Sequence, residues 1–155
     1  LTELESLNLA NTKVTDSGVE VVSSLKKLQS LNFSNLKITD AALPLLSSLP
    51  LHSLNLLNNK VTDAGMPSLS GLTAMRKLVL QGTAVSDTGL AELVPLTAMR
   101  LLNLTKTKVT DEGVGCLASM TVLKTLNLYG TNVTKDGPAV AALAKALPSL
   151  IKLDL

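Results

Sequence analysis

The chain has almost no aromatic residues: its 155 residues include no Trp, one Phe and one Tyr. A surface that stacks nucleic-acid bases would have only Tyr129 to offer, so we expect no nucleic-acid partner. Cysteine is as scarce, and a lone Cys116 excludes a disulfide-stabilised scaffold. No run of about 18 apolar residues occurs, which predicts no membrane-spanning helix.

Neither sign of charge dominates the chain. Fourteen basic and twelve acidic residues leave a net charge of +2, which does not indicate a polyanion-binding protein. Hydrophobic residues make up 46% of the chain and charged residues 17%, a balance that excludes intrinsic disorder. Leucine supplies 35 of the 155 residues, so the core must consist almost wholly of branched aliphatic side chains.

These leucines recur in a Leu-x-x-Leu-x-Leu segment that appears seven times. The segments begin at residues 4, 28, 51, 75, 99, 123 and 150, with Met or Phe replacing Leu at three positions. A fixed period of this length is the signature of a solenoid, whose repeats stack on one another. We predict a single domain over residues 1–155 with six full repeats and part of a seventh, numbered below as coils 1 to 7.

Two periodicities alternate within each repeat. Leu-x-Leu alternates apolar and polar residues, which predicts a short strand. After a Thr-Asp-x-Gly-like turn, apolar residues recur three apart, which predicts an amphipathic helix of about two to three turns. The Asp suits the positive end of that helix, and the Gly allows close approach to the neighbouring coil. The predicted N-cap residues are Thr15, Thr39, Thr62, Ser86, Thr110 and Thr134.

One strand and one helix per repeat predict an α/β fold with a parallel sheet and right-handed connections. Strands lie about 4.8 Å apart and helices about 10 Å, so the stack must curve into a horseshoe with a concave sheet and convex helices. A polar residue before each turn is expected to hydrogen-bond the adjacent coils and form a ladder, which Leu36 interrupts; we predict looser loop packing there. The ladder residues are Thr12, Asn59, Thr83, Thr107 and Thr131.

The repeats resemble leucine-rich repeats over essentially the whole chain. The nearest subtype bears helices and has the consensus Leu-x-x-Leu-x-Leu-x-x-(Cys/Thr/Asn)-x-(Val/Ile)-Thr-Asp-x-Gly-Leu, with Thr here at the usual Cys position. That subtype occurs in the F-box proteins of ubiquitin ligases and in many protist, plant and bacterial repeat proteins. The resemblance implies the horseshoe fold and leaves the function open.

Residues able to do chemistry are isolated from one another. His52 lies between core leucines, Cys116 lies in a helix, and the turn aspartates occur once per coil, where helix capping accounts for them. We therefore predict no catalytic residues, no cofactor, no metal and no small-molecule substrate. A row of lysines beside the ladder is interpreted as a solvated edge whose charge the aspartate row offsets; it comprises Lys13, Lys37, Lys60 and Lys108.

The strand residues that point away from the core form the candidate site. Their central position is Asn in five of the first six coils, and stacked Asn side chains are expected to pair with one another. Leu57, Val79 and Leu101 depart from this polar pattern in adjacent coils, which predicts one diagonal apolar patch with a polar surround. The predicted binding residues are Leu57, Lys77, Val79, Gln81, Leu101, Asn103 and Tyr129.

The pattern favours a non-catalytic module that binds a protein or peptide on its concave face. Two alternatives stay open: the substrate-recognition arm of a ubiquitin ligase complex, and a structural array within a larger assembly. The helix-bearing subtype and the lack of disulfide caps favour an intracellular, cytoplasmic location. Because the chain starts and stops on a repeat, we expect it to be part of a longer protein.

Overall fold

A computed structural model describes all residues, 1–155, and places seven short strands side by side in one parallel sheet. The strands follow the order of the chain from β1 to β7, so each pairs only with its sequence neighbours. The seven leucine segments therefore stand in register, as predicted. The strands are β1 Ser6–Asn8, β2 Ser30–Asn32, β3 Ser53–Asn55, β4 Lys77–Val79, β5 Leu101–Asn103, β6 Thr125–Asn127 and β7 Lys152–Asp154.

The central leucine of every strand lies in a single row across the sheet. Because neighbouring strand residues face opposite sides, this row points into the core while its flanking residues point to the concave face. The five interior leucines of the row are buried, whereas Leu7 and Leu153 in the outermost strands are half-buried. The core is one continuous aliphatic cluster running from coil to coil, as the seven-fold pattern predicts.

The helical segments on the convex side span about two turns or slightly more, as predicted, except for the shorter one of coil 4, but several of them are 3-10 rather than α-helical. Pro67 inside the segment of coil 3 has no N–H to donate, and an apolar spacing of three matches the 3-10 period of three residues per turn. The α-helices are α1 Asp16–Val22, α2 Leu43–Leu46, α3 Asp87–Ala91, α4 Asp111–Val114 and α5 Pro138–Ala146; the 3-10 segments are Asp40–Ala42, Asp63–Leu69 and Gly115–Ser119.

The helical segments of coils 1 to 5 begin at the predicted aspartates, but capping follows the prediction only in part. The hydroxyls of Thr39, Thr62 and Thr110 accept a bond from the N–H two residues later, while Thr15 makes no such bond. Ser86 makes none either. The prediction for Thr134 is wrong: α5 starts at Pro138, whose fixed φ and missing N–H suit the first helical position.

The aspartates have a second role that the sequence reasoning missed. In coils 1 to 5 the turn Asp accepts at least one hydrogen bond from the next coil, at the Thr or Ser of the predicted N-cap position. Asp87, for example, accepts from the Thr110 backbone N–H at 2.8 Å and from its hydroxyl at 2.6 Å. The same pair of hydrogen bonds joins Asp16 to Thr39, Asp40 to Thr62 and Asp63 to Ser86. The aspartate row therefore joins successive coils.

The turn glycines make room for these aspartates. A Cβ built on Gly65 would lie 2.5 Å from Asp40 Oδ1, and one on Gly113 would likewise collide with the Asp87 carboxylate. The predicted close approach to the neighbouring coil is confirmed for Gly65, Gly89 and Gly113, whose partner is the bridging Asp of the preceding coil. Gly18 and Gly137 instead face residues of their own coils, Val14 and Thr134. Coil 2 has Ala42 at the equivalent position, so its junction with coil 1 accommodates a methyl group there.

The predicted ladder between coils is wrong for its threonines. Thr83 and Thr107 donate their hydroxyls to carbonyls three residues earlier in their own coils, at 2.6 Å, because a Thr side chain is too short to reach the neighbouring coil. Thr12 and Thr131 do the same. Only Asn59 bridges, donating Nδ2 to Phe33 O at 2.8 Å and accepting at Oδ1 from a neighbouring-coil N–H.

A different ladder lies just beyond the ends of the strands. One residue per coil has a left-handed backbone there, and Asn and Gly are the residue types that adopt it most readily. In the first three coils the asparagines at this position also bond to each other: Asn35 Nδ2 donates to Asn11 Oδ1 at 3.0 Å, and Asn58 Nδ2 donates to Asn35 Oδ1 at 2.8 Å. The column comprises Asn11, Asn35, Asn58, Gly82, Lys106 and Gly130.

Candidate functional site on the concave face

The central asparagines of the concave face fix the exit of the chain from each strand. The Oδ1 atom of Asn55 accepts from the backbone N–H of Leu57 at 3.0 Å, and Asn103 and Asn127 do the same for the residues two positions later. The prediction that these asparagines pair with one another is wrong: each Oδ1 accepts from its own coil, and the Nδ2 groups of Asn103 and Asn127 donate to Gln81 and Asp154 instead. The hydrogen bonds to Oδ1 thereby fix the backbone position of the residue two places after each Asn, which is also on the concave face.

Val79 is the one departure from Asn in this column across the first six coils. The register pairs Val79 with Asn55 on one side and Asn103 on the other, and pairs Lys77 with Leu101. Leu57 lies two residues beyond Asn55, so Leu57, Val79 and Leu101 run diagonally across β3, β4 and β5. We call these three residues the apolar diagonal. Val79 is 8% exposed, whereas Leu57 and Leu101 are half-buried.

Polar groups border the apolar diagonal on both sides. Lys77 is exposed beside Leu101, and Gln81 accepts a bond at Oε1 from Asn103 Nδ2 at 3.2 Å. Tyr129 lies in coil 6, one coil beyond Leu101, and is 58% exposed, whereas Phe33, the other aromatic residue of the chain, is fully buried. All seven predicted binding residues thus lie on the concave face of coils 3 to 6.

An open hollow of about 630 Å³ lies next to this surface, between Tyr129 and the last strand. It adds three polar residues that the sequence reasoning did not select. The Thr105 hydroxyl donates to Asn127 Oδ1 at 2.7 Å, and Asn127 Nδ2 donates to Asp154 Oδ2 at 3.1 Å. Thr105 shares its repeat position with Leu57, Gln81 and Tyr129, so reading that column across all coils would have found it.

The remaining residues that might do chemistry lie apart from the concave surface and from one another. His52 is half-buried, with Nδ1 3.2 Å from Gln29 Oε1, and Cys116 is a half-buried free thiol in a 3-10 segment. No group of three or more His, Cys, Asp or Glu side chains is placed to hold a metal ion. None of the helices has the length and apolar character needed to cross a membrane.

Comparisons with known proteins agree with this geometry. Residues 1–23, 47–70 and 97–118 each match the family model described as Leucine Rich repeat. The chain is a leucine-rich repeat protein. Its fold is similar to the crystal structure of internalin C2 from Listeria monocytogenes: the two are 21% identical, with a TM-score of 0.61 over 97% of this chain and 80% of that chain. A search of curated protein sequences finds no match.

Leucine-rich repeat domains are in general protein-interaction modules, and the structure shows how this chain could serve as one. The solenoid core uses the inward row of leucines, while the residues on either side of that row are left on the concave face. An extended surface of this kind is the usual binding face of a solenoid.

Proposed function

We propose that the chain is a non-catalytic binding module that holds a protein or peptide on its concave face. The single observation that carries the proposal is the apolar diagonal of Leu57, Val79 and Leu101, exposed in part on a surface that is otherwise polar. The solenoid core does not require leucine at positions 57 and 101, because the equivalent residues of other coils are mostly polar or small.

The energetics favour a contact centred on the diagonal. Fully burying a leucine side chain contributes about 1.5–3 kcal/mol, and Leu57 and Leu101 retain part of that area for a partner to cover. Tyr129 offers a further aromatic contact of the kind that is enriched at binding hot spots. Lys77, Gln81 and Asn103 would fix the orientation of the partner through polar contacts at the rim.

We further propose that the module works inside the cell, where a reducing environment keeps the Cys116 thiol free. A recognition arm of a ubiquitin ligase and a structural array remain narrower forms of the same binding role. They differ in which surface the partner covers, since an array would bury the convex helices in its neighbours.

The test compares two matched double variants in partner capture from the native cell. Leu57→Asp with Leu101→Asp places two charges on the apolar diagonal, while Val21→Asp with Val122→Asp places two charges on exposed residues away from the concave face. We expect the concave variant to lose its partners, the other variant to keep them, and both to melt within a few degrees of the unmodified chain. If the concave variant still captured its partners, the binding site would lie on another face of the solenoid.

A further inference from the structure

One backbone hydrogen bond that joins the loops of each later pair of coils, up to coils 5 and 6, is missing between coils 1 and 2. In coils 3 to 6 a backbone N–H at one fixed position donates to a carbonyl of the preceding coil. Lys60 N–H donates to Ile38 O at 2.9 Å and Lys108 N–H to Val85 O at 2.8 Å, and residues 84 and 132 do the same. The equivalent N–H of coil 2, that of Lys37, has no partner.

Leu36 accounts for this difference. Other coils have Thr or Asn at this position, and its backbone N–H donates to the carbonyl three residues earlier, as in Asn59 at 3.2 Å. Leu36 instead turns into the core, where it is 6% exposed, and its N–H is unpaired as well. Coils 1 and 2 thus share one backbone hydrogen bond fewer than the later pairs, which agrees with the looser loop packing predicted from the sequence, although the threonine ladder on which that prediction rested does not form. Ala42 adds a methyl group at the same junction, where coils 3 to 5 have Gly.

The gap forms a hollow of about 420 Å³ lined by residues 12–15 of coil 1 and 35–37 of coil 2. Lys13 and Lys37 both line it and both are exposed, and neither forms an ion pair; the salt bridges of the molecule join Lys27 to Glu3 and Lys152 to Asp154. The lining of the hollow thus includes two lysines without an ion-pair partner and two residues, Leu36 and Lys37, whose backbone N–H groups have no hydrogen-bond partner.

The aspartates that follow these lysines form no direct ion pairs with them. Asp16, three residues after Lys13, accepts from the N–H and hydroxyl of Thr39, and Asp40 accepts from those of Thr62. Both carboxylates face the next coil and lie outside the lining of the hollow. Lys60, one coil further on, extends the row of positive charge.

We propose that this hollow is a binding site for a phosphate group, separate from the concave face. A dianion matches the two lysine charges, and its several oxygens can accept from donors on both coils at once, whereas a carboxylate carries half that charge. A bound phosphate would give the unpaired N–H groups of Leu36 and Lys37 an acceptor. In the regular repeat that acceptor is a carbonyl of the same coil for the first position and of the preceding coil for the second. The site exists because coil 2 departs from the repeat.

The test is a titration with inorganic phosphate, followed through the backbone amide signals in NMR and matched in ionic strength with sodium chloride. We expect saturable shifts of the Leu36 and Lys37 amides. Lys13→Gln with Lys37→Gln should weaken binding by at least about tenfold. The control pair Lys124→Gln with Lys145→Gln removes the same charge from exposed lysines elsewhere and should leave the affinity unchanged.

A third variant tests whether binding needs the shape of the hollow as well as its two lysines. Leu36→Asn introduces at position 36 the residue type that bridges two coils at position 59. We expect this variant to close the hollow and abolish phosphate binding although Lys13 and Lys37 are both retained. A melting curve within a few degrees of the unmodified chain shows that this variant folds. Tighter binding of a phosphoserine peptide would identify a phosphorylated protein as the source, and equal binding would identify free phosphate. Non-saturable shifts, equal loss in the lysine control or equal affinity for acetate would overturn the proposal.

Discussion

The junction between coils 4 and 5 and the junction between coils 5 and 6 use the same residue types with different results. Asp87 accepts two hydrogen bonds from Thr110, whereas Asp111 accepts only the backbone N–H of Thr134. In coil 6 the acid comes one position later, as Asp136, and α5 starts only at Pro138. Strand pairing is nevertheless as regular between β6 and β7 as elsewhere.

This difference shows that two parts of each repeat, the leucine pattern and the Thr-Asp-x-Gly turn, determine different features of the fold. The leucine pattern alone sets the strands and their register, because it survives in coil 6 without the Thr-Asp-x-Gly turn. The turn sets where the helical segment begins and how closely two coils approach. In coil 6, where the turn is altered, residues 134–137 lie outside the helix, and a helix of nine residues, Pro138–Ala146, follows them.

The largest expected effect concerns the leucine row that both regions share. Leu102 is fully buried, so Leu102→Ala should lower the free energy of unfolding by about 2–5 kcal/mol through lost contacts and the cavity left behind. Leu153→Ala, in the half-buried last strand, should cost roughly half as much. Chemical denaturation measures both. Equal losses would show that the outermost strand is held as firmly as the interior.

A smaller effect is expected from the bridging aspartates. Asp87→Ala removes the acceptor of two bonds and leaves the Thr110 N–H unpaired, so we expect a loss of about 2 kcal/mol. Asp136→Ala changes an exposed side chain with no partner and should stay within about 0.5 kcal/mol of the unmodified chain. Similar values for the two variants would refute the assignment of the aspartate row as the link between coils.

The close approach itself is tested by an effect of similar size at Gly113 and by a smaller, opposite effect at the nearby Gly115. A methyl group at Gly113 would collide with the Asp87 carboxylate, so Gly113→Ala should destabilise the chain by about 1–3 kcal/mol. Gly115 is helical and has nothing within 4 Å of a built Cβ, so Gly115→Ala should stabilise it by up to about 1 kcal/mol. Thermal melts of the two variants should therefore shift in opposite directions.

Most of the fold could be predicted from the sequence because the leucine pattern repeats seven times in phase. Strand positions, register and the single parallel sheet follow from it, and the start of five helical segments follows from the Thr-Asp turn. The helix type could not be predicted in the same way: Pro67 and the short turns favour 3-10 geometry, and Pro138 moves the last helix past Thr134.

The polar contacts were predicted poorly because contacts within a coil and contacts between coils were assigned to the wrong side chains. Asp16 and its equivalents were assigned to their own helix, yet they bond to the next coil, while Thr83 and Thr107 bond to their own. Whether a short side chain reaches across a junction depends on the spacing of the backbones, which the sequence does not state. On the concave face the apolar diagonal could be located, whereas Thr105 could be found only by comparing columns.

The central claim is that a partner is held against the concave face, and photo-cross-linking tests it most directly. The photoreactive residue p-benzoylphenylalanine replaces Tyr129 on the concave side in one variant and Val122, exposed on another face, in a second. The account predicts that the variant at position 129 cross-links to the captured partner and that the one at position 122 does not. A cross-link formed only from position 122 would contradict it.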